Sequence, residues 1–254
     1  MSAEISVVVC GARGKMGQTV VAAVAAQPDM SVVAEVDLGD DLVAALGSGA
    51  VVMVDFTAPG AAYENAQAAF AAGVAPVVGT TGMSREQVDE LARHADSSEI
   101  GGAVIPNFAI GAVLMMRLAE VASPYFESAE VIEAHAQTKL DAPSGTALAT
   151  ARRLAAARRE PFAYARPETV TLEHTRGGEE GSVGVHSLRL PGVVADQEII
   201  FGAQGQTLTI AHRTTSREAF MPGVLATIRA VVAEPRFYRT LDEVLGLPAL
   251  KDGD

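Results

Sequence analysis

The chain has 254 residues, 49% of them hydrophobic and 20% charged, with a formal net charge of −12 at pH 7. That length can bury a sizeable core as one large domain or two small ones. The acid excess disfavours a broad nucleic-acid or anionic-membrane surface, and the lack of Trp disfavours base-stacking platforms.

The first strand is expected in 5-ISVVVC-10, which carries the single cysteine. One cysteine excludes a disulfide framework or a thiolate zinc site, and Cys10 reads as a buried strand thiol. The run is too short for a signal-peptide core and follows Glu4 rather than a basic segment. The longest later apolar run, 20-VVAAVAA-26, falls short of the ~20 residues that span a bilayer. A cytoplasmic protein with no membrane partner is expected.

From there, short β-branched runs alternate with Ala-rich helical stretches. MGQTVVAAVAAQ reads as helix, SVVAEVD as strand, then a short helix, then VVMVDF as strand. A helix around AAYENAQAAFAAG, closed by Gly73, leads to the strand APVVG, the helix SREQVDELARHA and the strand within IGGAVIPNF. This alternation predicts βαβ units and a parallel sheet covered on both faces.

After Asn107 the pattern changes. A helix around GAVLMMRLAEVA precedes the strand AEVIEAH and the helix DAPSGTALATARRLAAARR. Strands are then expected in ETVTLEHTR, SVGVHSLRL, ADQEIIFGA and QTLTIAHRT, and a last helix in REAFMPGVLATIRAVVAE, where Pro222 fits only a first turn or a kink. The expected architecture is α/β: a Rossmann-type doubly wound domain over 1–109 and 219–254, and an α+β domain with an open mixed sheet over 110–218.

Two stretches carry the chemistry. In 11-GARGKMG-17 a glycine turn joins the first strand to a helix, so a pyrophosphate can sit on the helix N-terminus. The spacing is G-x-x-G-x-x-G, with Arg13 in the second glycine's usual place, and Met16 excludes a P-loop. Asp37, at the end of the second strand, suits the ribose hydroxyls of NAD, whereas Arg13 and Lys15 suit a 2′-phosphate; dual use of NADH and NADPH is expected. The loops 55-DFTAP-59, with Phe56 and Thr57, and 79-GTTG-82 leave the same sheet edge and suit a nicotinamide and its ribose. The bland reading of each loop, taken alone, is a plain strand-to-helix turn.

In 133-EAHAQTKLDAPSGTAL-148, Ser144, Gly145 and Thr146 open a helix whose N–H groups can receive an anion. Lys139 adds a full positive charge and His135 a proton near neutral pH. Together they suit a small carboxylate-bearing substrate, although singly each reads as an N-cap turn, a solvated lysine or a core histidine. His94 falls on a helix, and His174, His186 and His212 on strands; five scattered histidines without an acidic cluster give no metal site.

GARGKMG, VDFTAP, VVGTTG, PNFAIGAVL and above all EAH…K-x-DAPSGTA resemble the dihydrodipicolinate reductase family of lysine and diaminopimelate biosynthesis. LRLPGVVADQEIIFGAQGQTLTIAHR and PGVL extend the resemblance over nearly the whole chain, and the short length with AEVDLGD is similar to the actinobacterial branch. The resemblance implies reduction of a conjugated cyclic imine dicarboxylate by NAD(P)H. It implies that Gly11, Ala12, Arg13, Gly14, Lys15, Met16 and Asp37 hold the adenosine diphosphate half. By the same resemblance, Gly79, Thr80, Thr81, Pro106, Asn107 and Phe108 are expected to hold the nicotinamide half. His135 and Lys139 are then the acid residues, Gly145 and Thr146 grip a carboxylate, and four copies assemble through the open sheet.

One departure stands at the centre of the motif. The family pattern resembles E-x-HH-x-H-K, but this chain has Ala136 and Thr138 in place of the later histidines. Three readings follow: the family's reaction with weakened substrate binding, a derived NAD(P)H reductase for another imine or oxo acid, and a nucleotide-sensing protein without turnover.

Overall fold

The computed structural model describes residues 4–248. They group into two compact units, one running up to Ile110 and resuming at Arg217–Pro248, the other spanning Gly111–Ser216.

In the first unit the elements follow in order β1 (Ile5–Cys10), α1 (Lys15–Ala25), β2 (Met30–Val36), α2 (Leu42–Leu46), β3 (Val52–Asp55), α3 (Pro59–Ala71), β4 (Ala75–Val78), α4 (Arg85–Ser98) and β5 (Gly102–Val104). The second unit contributes α5 (Ile110–Ala122), β6 (Ser128–His135), α6 (Gly145–Ala156), β7 (Gly178–Glu180), β8 (Val183–Arg189), β9 (Ala195–Ala203) and β10 (Gln206–Thr214). The chain then returns to the first unit with α7 (Met221–Ala233), β11 (Phe237–Tyr238) and α8 (Leu241–Val244).

The first sheet is parallel throughout, in the order β11-β5-β4-β3-β1-β2. Val7, Val8 and Val9 of β1 and Val52, Met53 and Val54 of β3 are all fully buried. Helices cover both faces, which is why these strands read as continuous apolar runs. Val8, Cys10 and Met53 pack with Leu46 of α2 and Ala69 of α3, while α1 and α7 pack together against the sheet. Strand order reverses between β1 and β3, so the loops that follow these two strands flank the crevice where doubly wound folds bind ligands.

Local signals explain the helix ends. A capping box joins Ser84 and Gln87 at the start of α4. A 3₁₀ turn, Arg217–Phe220, feeds α7, and Pro222 falls in its first turn, where its missing N–H costs nothing.

The second sheet is mixed, in the order β10-β9-β6-β8-β7, with only the β6–β8 pairing parallel. Alternation along β6 buries Ala129, Val131 and Glu133 on the face that α6 covers. The opposite face keeps Ile132, Ala134, Leu188 and Ile200 only partly buried or exposed.

One expected strand is absent. Residues 168–176 form turns rather than a strand, and the short β7 begins only at Gly178. His174 has φ 63°, a left-handed conformation incompatible with the extended backbone expected of ETVTLEHTR. The β-branched content of that stretch is overridden because no neighbouring strand is there to pair with it.

Candidate active site

The glycine turn after β1 is shaped by close backbone approach. Gly11 has φ 77°, and a Cβ there would meet the Phe56 carbonyl oxygen at 2.5 Å. A Cβ on Gly17 would meet the Gly11 carbonyl oxygen at 2.0 Å, so α1 can start this near β1 only with glycine at both positions. Gly14 is the N-cap of α1 and offers no side-chain hydrogen bond to the first amides. Those amides, with Arg13 and Lys15 exposed beside them, make a start of helix that fits a pyrophosphate. Ala12 is buried and Met16 half-buried, so their contribution to a bound nucleotide is through backbone and shape.

Asp37 follows β2 and faces this turn. Its carboxylate accepts the N–H of Arg13 at 2.8 Å and the N–H of Leu38 at 2.8 Å, one on each oxygen. The Leu38 and Arg13 amides hold it below the usual carboxylate range. Each oxygen keeps a further lone pair for a ribose hydroxyl. Asp40, three residues on, accepts both the Asp37 N–H and the Arg13 guanidinium at 2.9 Å. Nothing in the glycine motif announced that Arg13 would be tethered in this way.

The loops after β3 and β4 share an organiser that the motifs did not single out. Asp55 is 0% exposed and accepts Thr57 N–H (3.0 Å), Thr57 Oγ1 (2.8 Å), Asn65 Nδ2 (2.8 Å) and Thr80 Oγ1 (2.8 Å). One carboxylate therefore fixes Thr57 and Thr80 together. An Asp two residues before a Thr at a strand end is the Asx-turn signal that marks it. Gly79 owes its identity to Phe56, whose ring would lie 2.2 Å from a Cβ there. Phe56 packs on Phe108 at 5.8 Å between ring centroids, and Phe108 is buried, so it can meet a ligand only through its backbone. Pro106 and Thr81 are exposed in the adjoining loops, and Asn107 turns its side-chain oxygen to the Ala109 N–H.

In the second unit one hydrogen-bonded network joins the remaining candidates. Glu133, 0% exposed, accepts His135 Nδ1 at 2.5 Å and a two-pronged Arg189 guanidinium at 2.9 Å on each oxygen. It also accepts the Ser144 N–H at 3.2 Å. Burial pushes this carboxyl up, but hydrogen bonds from Arg189, Ser187 and His135 outweigh burial and hold it below the usual range. Arg189 donates further to the Asp141 carbonyl at 2.7 Å, and the Asp141 carboxylate accepts Lys139 Nζ at 2.8 Å. That ammonium keeps Asp141 below the usual carboxylate range.

Ser144 caps α6 by accepting the Ala147 N–H. Two of the three residues expected to open this helix are thus partly committed: the Ser144 N–H goes to Glu133, and Thr146 has partners of its own. Gly145 is different. A Cβ there would meet nothing within 4 Å, so the protein itself has no need of glycine, and the space beside this amide is open. Ala136 begins the turn that Lys139 closes with a 3.0 Å N–H to carbonyl bond, and Thr138 is exposed.

A parallel sheet whose switch point carries a glycine turn and an acid, in one chain with a cation-lined helix start, defines a nucleotide-dependent oxidoreductase of small anionic substrates. Two family matches cover nearly all of the chain: dihydrodipicolinate reductase, N-terminus, over residues 5–108, and dihydrodipicolinate reductase, C-terminus, over residues 111–245. The 4-hydroxy-tetrahydrodipicolinate reductase of Corynebacterium efficiens is 46% identical over 96% of this chain and 99% of its own length. That of Thermosynechococcus vestitus is 45% identical over 96% and 98%. A dipicolinate-bound dihydrodipicolinate reductase from Paenisporosarcina sp. TG-14 superposes with a TM-score of 0.84 at 36% identity, covering 94% of this chain and 99% of that one. The chain belongs to the dihydrodipicolinate reductase family, the NAD(P)H-dependent oxidoreductases of lysine and diaminopimelate biosynthesis. Among the described residues no helix is long and apolar enough to cross a membrane.

Proposed function

We propose that this chain reduces the family's cyclic imine dicarboxylate, with His135 and Lys139 as the acid residues and with Gly145 and Thr146 holding a carboxylate. The observation that carries the reading is the single network through Glu133 and Arg189 that ties His135, the Lys139–Asp141 loop and the start of α6 together. Bound NAD(P)H supplies the hydride. Glu133 engages Nδ1 of His135, which leaves Nε2 to deliver the balancing proton to the substrate. Lys139 spends one of its three donors on Asp141, and the others remain for the substrate. The open space at Gly145 admits a substrate carboxylate to the helix start. The dipicolinate held by the Paenisporosarcina relative, a planar ring with two carboxylates, supports the same substrate class here.

On the nucleotide side, Gly11, Ala12, Arg13, Gly14, Lys15 and Met16 would wrap the pyrophosphate, and Asp37 would take the adenosine ribose. Phe56, Thr57, Gly79, Thr80, Thr81 and the loop 106–108 would border the nicotinamide. The domain limits follow as a nucleotide-binding part over 1–109 and 219–254 and a substrate-binding part over 110–218.

A cytoplasmic homotetramer, paired through the face of the second sheet that α6 leaves uncovered, completes the reading. Ile132, Ala134, Leu188 and Ile200 on that face support it. Light scattering should give a mass four times the 26.2 kDa chain.

The deciding experiment follows NAD(P)H oxidation with enzymatically generated substrate beside a panel of other cyclic imines and oxo acids. Turnover of the dicarboxylate above every other compound upholds the reading. Preference for a different compound would assign Ala136 and Thr138 to a changed substrate, and nucleotide binding without any turnover would leave a sensor.

A further inference from the structure

We propose that Glu133 and Arg189 are a positioning pair for the reaction: they fix which nitrogen of His135 faces the substrate and hold the Lys139 loop and the α6 start in register with it. The proposal rests on the reading of His135 as proton donor, and it assigns work to two residues outside the family motif's histidines and lysine.

Alternation along β6 places Glu133 on the inward face with Val131, and it is 0% exposed. The parallel pairing of β6 with β8 sets Ser187 opposite Glu133 and Arg189 opposite His135. From that position Arg189 reaches both oxygens of Glu133 at 2.9 Å. A bidentate guanidinium keeps the carboxylate ionised in spite of burial. An ionised Glu133 can only accept, so the 2.5 Å contact with Nδ1 of His135 must be donated by the imidazole. The tautomer is thereby set, with the opposite nitrogen turned away from Glu133.

The same pair reaches two further groups. Glu133 accepts the Ser144 N–H at the N-cap of α6, and Arg189 donates to the Asp141 carbonyl next to the Lys139 contact. Imidazole, ammonium and helix start are therefore tied into one hydrogen-bonded network. Stability alone does not call for such a pair, because well-packed apolar side chains of similar volume commonly do as well as a buried ion pair.

The test is a double-mutant cycle on the full-length protein, with Glu133→Gln, His135→Asn and both together, scored by kcat, KM for the dicarboxylate and calorimetric nucleotide affinity. Glu133→Gln should lower kcat on the order of 10²-fold, the lower end of what a positioned acid supplies, with nucleotide affinity unchanged. His135→Asn should lose at least as much, and the double variant no more than His135→Asn alone, because the two act as one unit. Nitrogen-15 spectra of the imidazoles should show one fixed tautomer for His135 in the natural protein and its loss in Glu133→Gln. If Glu133→Gln fails to fold with Arg189 left unpaired, Glu133→Gln with Arg189→Gln replaces it in the same cycle and is judged by the same outcomes. A collapse with His135→Asn but wild-type kcat without Glu133 overturns the proposal and leaves the function standing. Losses that multiply in the double variant overturn it as well, since the two side chains then act independently. Full turnover with His135→Asn sinks the proton-donor reading and this proposal together.

Discussion

Among the described residues, each unit encloses one fully buried carboxylate, and the two are satisfied in opposite ways. Asp55, at the end of β3, is surrounded by neutral donors: a backbone amide, two threonine hydroxyls and an asparagine amide. Glu133, in β6, meets a guanidinium and an imidazole. Neutral donors fix geometry without moving charge, and they suit loops that only have to hold a ligand in place. A guanidinium and an imidazole around the second carboxylate suit a site where a proton changes hands. The thiol of Cys10 registers the first arrangement: burial, then Asp55 and Asp37, push it up to about 12, so it stays a protonated core side chain.

Removing the acceptor should separate the two regions most sharply. Asp55→Ala takes the acceptor from the buried Thr80 hydroxyl, at about 1–3 kcal/mol, and from the half-buried Thr57 and Asn65 donors, at less because water can reach them. A total loss of about 2–4 kcal/mol is expected, a large part of the ~5–15 kcal/mol that holds an ordinary domain. Chemical denaturation should show it, and nucleotide binding should fail with it. Asp55→Asn keeps one acceptor oxygen and should fall between. An Asp55→Asn protein with an unchanged denaturation midpoint and weak turnover would reverse the assignment of structure to one carboxylate and chemistry to the other.

How these two hubs relate to the sequence explains what could be read from it. The parallel sheet, its glycine turn and the acid at Asp37 lie close together along the chain and follow strong local rules, so this half of the fold was legible. Glu133 was visible in part: period-2 alternation in 128-SAEVIEAH-135 puts it on the same face as Val131 and His135, and a buried glutamate needs a cation. Its partner Arg189 lies 56 residues away. Only the β6–β8 pairing brings it there, and no local pattern encodes which strands become neighbours. Residues 168–176 failed for the same reason, since β-branched content without a partner strand gives turns. Asp40 was missed because its role lies in what it does to Arg13 rather than to any ligand.

The next effect sharpens the chemistry of the second region. Ala136 stands beside His135 where the family motif carries another imidazole, and a hydrogen bond to a charged group is worth roughly 1.5–3 kcal/mol. Ala136→His, alone and with Thr138→His, should therefore raise kcat/KM for the dicarboxylate by about ten- to a hundred-fold. Most of the gain is expected in KM, with stronger inhibition by pyridine-2,6-dicarboxylate. Wild-type values equal to those of the double variant would show that another group already fills the role.

Acid should find the second unit through His212 before it finds Glu133. His212 lies on β10 against Gly111, where a Cβ would meet its ring at 2.5 Å. Burial lowers its pKa, and the Asp196 carboxylate only partly offsets this. The unfolded chain then binds a proton, with a pKa of about 6.5, that the folded chain refuses. Stability from this site is present above about pH 6.5 and is lost as pH falls from there toward the folded value. Glu133 runs over a separate window: its lowered carboxyl contributes above roughly pH 4.3 and is lost only as pH falls further. Denaturation midpoints measured from pH 7.5 to 5 should therefore decline in the natural protein and stay flatter in His212→Gln. Parallel declines in both proteins would remove His212 as the cause.

The smallest effect lies at the edge of the first region, where charge rather than burial decides. Asp40 takes the Arg13 guanidinium at 2.9 Å while also accepting the Asp37 N–H. A 2′-phosphate that recruits Arg13 must break this contact and approach two carboxylates, Asp37 and Asp40; a free 2′-hydroxyl faces no such opposition. Both side chains of the pair are substantially exposed, so the contact is worth at most about 1 kcal/mol. Asp40→Asn should accordingly tighten NADPH by about two- to five-fold, within that limit, and change NADH little. The size of the shift should shrink as salt is raised, because screening weakens an exposed pair first. Calorimetry with both nucleotides at two ionic strengths checks this without any substrate. Equal changes for NADH and NADPH would mean that Asp40 only shapes the loop after β2. A change for NADPH alone, vanishing in Asp40→Asn combined with Arg13→Ala, would make the tethered arginine the element that sets nucleotide preference.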